Sequence, residues 1–474
     1  MRAIFPRARA AFLLLTFVVF VKPALAQYDM GIGNSNYSGV KGTLLNPAAG
    51  ADPKFKWDIN VLSVGVLFDN SFLYVPRGAV PAFGFKSIFK GILNEDKFAT
   101  NYQASQPGKL YQLTLSAEIL GPSIQVALPN RQSIGFTIAN RAYANIRNIP
   151  GATGQNAYDY LRDPGLWDTT FTDRSTRLNG MDWLEYGVHY AAVLFDDGTD
   201  QWHAGVTIKY LQGIVGAYAK NTNLSYRIED STHLLFSGSV DYGRTDYDSY
   251  RHISGYGGLN HGHGFGADLG IQYVHAADTR KEGDYLYKIG LSVMDLGGIR
   301  FNRNAAAFHL QTTGADFANW GKARLTGNAE VDRTLSAVFY GGDSARSQVG
   351  SGFRMALPTA LSLQADWKVQ DHFFLNASVV KGFGHRDKQG VVQPDIYSIT
   401  PRYESAWWDV SVPFSLVYYG VWRPRVGLAV RAGYVFFGGD APASLLALGN
   451  LKATDFYAGV RFFILNDHYK KPKI

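Results

Sequence analysis

Apolar and polar residues alternate with a period of two through most of this chain, the pattern of β-strands with one face against an apolar medium. Between Leu110 and Leu120, Tyr111, Leu113, Leu115, Ala117 and Ile119 share one face, and Gln112, Thr114, Ser116 and Glu118 the other. From Leu184, a face of Leu184, Tyr186, Val188, Tyr190, Ala192 and Leu194 opposes Glu185, Gly187, His189, Ala191 and Val193. The polar turn Asp196-Asp197-Gly198-Thr199-Asp200 leads to a return strand with Trp202, Ala204, Val206, Ile208 and Tyr210 opposite His203, Gly205, Thr207 and Lys209. Two such runs around a short polar turn predict a hairpin. Leu361, Leu363, Ala365, Trp367 and Val369 alternate with Ser362, Gln364, Asp366 and Lys368, then turn at Gln370-Asp371-His372 into Phe373, Leu375, Ala377 and Val379. Val426, Leu428, Val430, Ala432, Tyr434 and Phe436 read as one strand face, away from Arg431, Gly427 and Gly433. A last strand places Phe456, Ala458, Val460, Phe462 and Ile464 on one side.

A soluble β-sandwich also alternates, but its outward face is densely charged. Here the polar faces are mostly Gly, Ser, Thr, Gln and Asn, the strands are long, and strand signals continue without a linker. The pattern therefore predicts an all-β fold, an antiparallel transmembrane β-barrel of about 14 strands (roughly 12 to 18) with an N-terminal lumen segment and long outer loops. Residues 145–182, 243–265 and 301–352, rich in Gly, Asn, Asp and Arg, are the candidate loops, and Phe85–Phe98 reads as a short amphipathic helix. A charge on the lipid face costs ~2–4 kcal/mol at the bilayer midplane. Glu118, Glu185, His189, Lys209, Asp366, Lys368, Arg431 and Arg461 are thus the candidate lumen-lining residues, either along a conduit or in salt bridges that plug it.

The N-terminus sets the compartment. Arg2, Arg7 and Arg9 precede an apolar run at 10–21 and the small-residue site Pro23-Ala24-Leu25-Ala26. This is the form of a signal peptide cleaved after Ala26, and the run is too short to span a bilayer as a helix. The expected organisation is a signal peptide at 1–26, a lumen or hatch segment at 27–56, the barrel at 57–464 and a basic tail at 465–474. Without the leader the chain carries 42 basic and 39 acidic residues, a net of +3, with Lys470, Lys471 and Lys473 in the tail. No basic face suits nucleic acid, which is dropped as a partner. The chain has no cysteine, so neither disulfides nor a lipid attached to a terminal cysteine is expected.

Several stretches resemble a known family. Asn34-Ser35-Asn36-Tyr37-Ser38-Gly39-Val40 with Leu45-Asn46-Pro47-Ala48-Ala49 is similar to the opening of uncharacterised bacteroidete outer-membrane barrels, a domain of unknown function distantly similar to the long-chain fatty-acid transporter superfamily. The run from Gly290 through Met294-Asp295-Leu296-Gly297-Gly298 to Phe301 also matches. So do Leu357-Pro358-Thr359-Ala360-Leu361, Gly433–Gly438 and Asp455–Val460. The resemblance implies a barrel whose N-terminal segment tucks into the lumen as a hatch, with Asn46, Pro47 and Ala48 as the hatch motif. It implies no ligand-contacting residue.

Chemistry is sparse. Gly342-Asp343-Ser344 resembles a lipid-esterase nucleophile block but lacks a partner Asp-x-x-His, with Asp467-His468 the nearest approach, and reads as a polar loop. His261-Gly262-His263 lacks third and fourth metal ligands and reads as a flexible turn. No nucleophile elbow or phosphate loop occurs. Neither an enzyme, a cofactor nor a metal is expected. The expectation is passive transport or binding of small molecules, hydrophobic ones among the candidates, in contact with outer-membrane lipid and the barrel-assembly machinery. A non-conducting scaffold for a protein partner in the envelope is the alternative, and a lipid hydrolase a distant third.

Overall fold

The alternating segments pair with their sequence neighbours and close on themselves. A computed structural model describes residues 29–466 except 52–53, 75–100, 103–108, 159–160, 162, 231, 247–259, 278–283, 320–327, 384–388, 419 and 442–451. Fourteen antiparallel strands make the wall: β1 (Phe55–Asn70), β2 (Leu110–Leu120 continued by Ser123–Leu128), β3 (Gln132–Pro150), β4 (Arg177–Asp196), β5 (Asp200–Asn221), β6 (Gly262–Ala276) and β7 (Tyr285–Phe301). They continue with β8 (Phe353–Ala356 and Ala360–Gln370), β9 (Phe373–Gly382), β10 (Asp395–Glu404), β11 (Trp408–Ser411 and Phe414–Tyr418), β12 (Trp422–Val426 and Leu428–Ala432), β13 (Val435–Gly439) and β14 (Ala453–Leu465). β14 returns to β1 in a register running from Phe55↔Leu465 to Asp69↔Ala453, and this pairing closes the sheet. Closure leaves no unpaired edge, which is what a strand-built membrane protein requires. The start of β1 and the end of β14 lie together at a short-turn end, with the turns at Asp196–Asp200 and Gln370–Phe373. The long connections all lie at the other end.

The period of two becomes an inside and an outside. On β5 Ile208 is 62% exposed while its neighbour Lys209 is 3% exposed. Val188, Leu363, Trp367 and Phe462 likewise face out. Aromatics ring the outer face near both ends. Trp202 packs on Tyr273 at 5.2 Å and Tyr434 on Phe462 at 5.1 Å near the short turns, and Trp422 meets Tyr418 at 4.8 Å and Tyr397 at 5.6 Å near the long loops. Amphipathic rings at two heights are the usual interfacial belts of a membrane barrel.

Some elements differ from the alternation. The single strand expected over Val426–Phe436 is a hairpin: Gly433 adopts φ +58°, the chain reverses between Ala432 and Val435, and Phe436 becomes an inward, buried residue. Tyr111 leaves the face of Leu113 and Leu115 because a register shift between Tyr111 and Leu113 turns its ring inward onto Phe72. The candidate loop at 301–352 holds a strand, Ala305–Ala318, and a helix, Asn328–Phe339. That strand pairs with His233–Thr245, which also pairs with the end of β5 and with Leu224–Ile228, so the wall extends beyond the barrel as a sheet. In the 145–182 stretch β3 runs on to Pro150 and β4 begins at Arg177, with helix Gly151–Tyr158 between them. His261-Gly262-His263 opens β6 instead of forming a flexible turn. His261 is buried and His263 exposed, so the two rings point to opposite sides and cannot share an ion. The helix expected over Phe85–Phe98 lies outside the described residues.

Brominated acyl chains quench only tryptophans that touch lipid. In single-tryptophan variants, Trp202, Trp367, Trp408 and Trp422 are expected to be quenched strongly in such bilayers and Trp183, which is fully buried, not at all. Quenching of Trp183 equal to that of Trp367 would contradict this inside-outside assignment.

Candidate functional site

Read upward from the short-turn end, the inward residues of β5 are His203, Gly205, Thr207, Lys209, Leu211 and Gly213. The lumen follows this order: polar, then glycine, then charged, then apolar.

In the lower part the lumen holds the chain's own N-terminal segment. Its short helices α1 (Met30–Gly33) and α2 (Val40–Thr43) lead to a 3₁₀ turn, Pro47–Gly50. Asn46 caps that turn: its Oδ1 accepts the Ala48 N–H at 2.9 Å, and Pro47 sits at the first position, where no amide is needed. The Asn46 amide also donates to Gln364 Oε1 at 3.0 Å, and Ser292 Oγ donates to the Leu45 carbonyl at 2.8 Å. Three glycines on adjacent strands make room for this motif. A Cβ on Gly205 would lie 2.4 Å from the Pro47 backbone, on Gly270 2.1 Å from Asn46 Oδ1, and on Gly290 2.6 Å from Asn46 Nδ2. Gly205 and Gly270 are paired directly across β5 and β6, and Gly290 lies on β7. Asn46, Pro47 and Ala48 are thus buried against a wall that only glycine can form at that height.

The rest of the segment is held by charged side chains from the wall. Arg461 donates to the Ser38 carbonyl at 2.6 Å and to that of Tyr37, and Asp58 accepts the Val40 N–H at 2.9 Å. Gly39, at φ +56°, lets the chain bend over Asp58. Ser35 donates to Asp409 at 2.8 Å, and Arg431 grips the same carboxylate through two nitrogens at 2.6 Å. Asn36 donates to Glu404, which Arg402 holds at 2.7 Å, and Arg402 makes a forked pair with Asp366 at 2.8 and 3.1 Å. Such bidentate pairs are the strong, directional class of ionic hydrogen bond.

Above the Asn46-capped turn a charged layer crosses the lumen. Arg141 grips Asp295 with two nitrogens at 2.7 and 2.8 Å and reaches Glu185 at 3.2 Å. Lys209 lies 2.8 Å from Asp295, 2.7 Å from Asp268 and 3.3 Å from Glu185. Lys41 of the N-terminal segment joins it, 2.8 Å from Asp29 and 3.5 Å from Glu118. Burial works against the Lys41 ammonium, yet Asp29 and Glu118 outweigh it and raise its pKa. Asp295 reaches this place through a break in β7: it takes φ +55°, the register shifts beside it, and its N–H donates to Asp268 at 2.7 Å. Asp is one of the few side chains that accept such a conformation.

Above the charges the lumen is apolar. Tyr143, Met181, Trp183, Leu211, Ile299, Phe301, Met355, Leu357 and Val391 form one buried cluster. Gly213 and Gly216 leave the space that the Phe301 ring fills.

Of the residues singled out from the sequence, Glu118, Glu185 and Lys209 meet in the charged layer, and Asp366, Arg431 and Arg461 hold or back the N-terminal segment. His189 lies beneath Gly50, with Nδ1 3.2 Å from Thr207 Oγ1. Lys368 stands apart near the short turns, paired with Asp284 and Asp371. Sequence reasoning did not single out Arg141, Asp268, Asp295, Arg402, Glu404 or Asp409. Asp268 and Arg402 do sit on plain alternations (Gly266, Asp268, Gly270; Ser398, Thr400, Arg402), whereas Asp295 is marked only by the parity change after Met294. Gly342-Asp343-Ser344 is an exposed turn, and among the described residues no group of three metal-binding side chains converges.

Three cations face five carboxylates in the charged layer, so losing a cation is expected to hurt more than losing a carboxylate. Lys209→Met should destabilise the folded barrel by about 3–5 kcal/mol, the cost of stranding buried charge. Glu118→Gln, whose contacts are the longest of the layer, should cost less than ~1.5 kcal/mol. Urea unfolding in micelles measures both, and the reverse order would refute the charge count.

No curated protein matches the sequence. Among solved structures, a deletion mutant of the TodX monoaromatic hydrocarbon channel is 8% identical with a TM-score of 0.45, covering 94% of this chain and 100% of that one. The Ralstonia pickettii toluene transporter TbuX is 9% identical with a TM-score of 0.41, over 94% and 100% of the two chains. The translocator domain of autotransporter NalP from Neisseria meningitidis is 11% identical with a TM-score of 0.28, over 85% and 89%. A family model matches residues 47–440, and the chain belongs to that family, DUF5723, a family of unknown function.

Proposed function

We propose that this chain, cleaved after Ala26, is an outer-membrane barrel that binds and passively passes small apolar molecules, and that the state described above is its closed form. The observation that carries this reading is the apolar cluster of Trp183, Leu211, Ile299, Phe301, Met355 and Leu357 inside the lumen. A barrel that served only ions or sugars would gain nothing from an apolar layer in its lumen, whereas an apolar molecule gains ~25 cal/mol for each Å² it buries there. The charged layer and the docked N-terminal segment below form the closing element, and Glu118, Glu185, His189, Lys209, Asp366, Arg431 and Arg461 act in it as anchors. Asn46, Pro47 and Ala48 are its latch. No catalytic role is assigned to any residue.

Purified full-length protein should raise the uptake of an apolar aromatic above that of protein-free liposomes and leave the uptake of a sugar of equal size unchanged. Deleting residues 29–51 should speed uptake of the aromatic, because one of the two fillers of the lumen is gone, with folding checked by heat-dependent gel mobility. A barrel that binds and passes nothing, with or without the segment, would sink this reading. The dense pairing of the lumen charges favours a second one, a non-conducting scaffold. It predicts a stoichiometric protein partner that co-purifies from native membranes.

A further inference from the structure

The connection between β9 and β10 does not stay at its own edge of the barrel. Residues Gln389–Pro394 run inward and are held by the far wall. The Gly390 N–H donates to Asn179 Oδ1 at 3.2 Å and the Val392 N–H to Asn145 Oδ1 at 2.9 Å. Asn145 lies on β3 and Asn179 on β4, whereas the stretch leaves from β9 and returns into β10. Strands six places apart in a closed ring of fourteen stand nearly opposite each other, so this stretch is a strap across the lumen.

Local contacts fix its path. The Ala356 N–H donates to the Gln389 carbonyl at 2.9 Å, and Gly390 forms a bridge with Ala356. A Cβ on Gly390 would be 2.9 Å from that of Ala356, and one on Gly382 would be 1.8 Å from the Gln393 carbonyl oxygen, so both glycines mark close passage of the strap over the wall. Asn145 is kept in orientation by its amide, which donates to Thr114 Oγ1 at 3.2 Å. Between the two asparagine bonds, Val391 is fully buried as a member of the apolar cluster with Trp183, Ile299, Phe301 and Leu357.

The geometry points to a ligand subsite occupied by the chain itself: we infer that Val391 fills the place of a small apolar or aromatic ligand, and that the strap is the lid on the long-loop side. This inference rests on the proposed function and adds to it the address of the ligand and the gate over it. The strap is well suited to exchange. To the far wall it is fastened by hydrogen bonds to two neutral amides, and the apolar area that Val391 gives up on leaving is regained by the ligand.

The chain has no native cysteine, so an introduced pair reports without ambiguity. Ala356→Cys with Gly390→Cys places two thiols side by side: the new Cβ must part from the Cβ and the carbonyl oxygen of Ala356, each 2.9 Å away, towards the ~3.8 Å of a disulfide, so the reduced pair is first required to match the unsubstituted protein in uptake. Naphthalene uptake into liposomes by the oxidised pair should fall to the protein-free rate and return on reduction. Asn145→Ala with Asn179→Ala should raise the initial rate roughly tenfold, as the loss of two hydrogen bonds allows. Equilibrium binding of radiolabelled naphthalene in nanodiscs separates the two ideas. Binding by the reduced but not the oxidised protein, even without uptake, supports the strap and refutes passage. Equal binding by locked and unlocked protein, or equal uptake above the protein-free rate, overturns the strap, as does the absence of binding by the double-asparagine variant.

Discussion

Closing fourteen strands into a ring produces an interior too wide for the wall's own side chains to fill. An eight-stranded barrel can meet in the middle, and a wider one must be left wet or be filled by other parts of its chain. This protein takes the second course from both ends. The N-terminal segment enters at the short turns, and the strap Gln389–Pro394 enters at the long loops. What lies between, the layer around Asp295 and the apolar cluster above it, is shaped by the need to match two fillers of different chemistry.

The fillers are fastened by different means, and the difference decides which moves more readily. Lys41, Arg461, Arg431 with Asp409, and Glu404 hold the N-terminal segment through charge. Buried ion pairs add little net stability, but breaking one strands an uncompensated charge. The strap is tied to the far wall by amide hydrogen bonds, whose rupture leaves no charge behind. A barrel built in this way is firmly bolted below and lightly latched above.

Much of the wall was legible from alternation alone, because lipid and lumen impose opposite demands on successive residues. The strands around Val188, Ile208, Leu363 and Phe462 appear where the period of two put them. Alternation failed where the backbone changed parity: at Gln112, at Met294-Asp295 and at Gly433. A bulge or a tight turn costs one residue of register and flips everything after it. Asp295, the carboxylate on which Arg141 and Lys209 converge, lies at one such point, so the centre of the charged layer was the part hardest to read. Asn46-Pro47-Ala48 stood out in the sequence, but the wall residues that receive it did not. Gly205, Gly270 and Gly290 are 65 and 20 residues apart and become a single surface only when β5, β6 and β7 pair. The strap carried no signal at all, since Gly-Val-Val-Gln-Pro reads as an ordinary loop until the opposite wall exists.

Those three glycines also impose an order of events. The segment carrying Asn46 and Pro47 is the first of the described chain to be synthesised, yet the surface that receives it is built from residues 205 to 290. The arginine that clamps its bend, Arg461, lies in the last strand. The beginning of the protein must therefore wait, unseated, while every strand is laid down, and it can be locked only when β14 meets β1. Its docking makes completion of the ring self-evident to the rest of the molecule: an unfinished barrel has no seat for its own first residues.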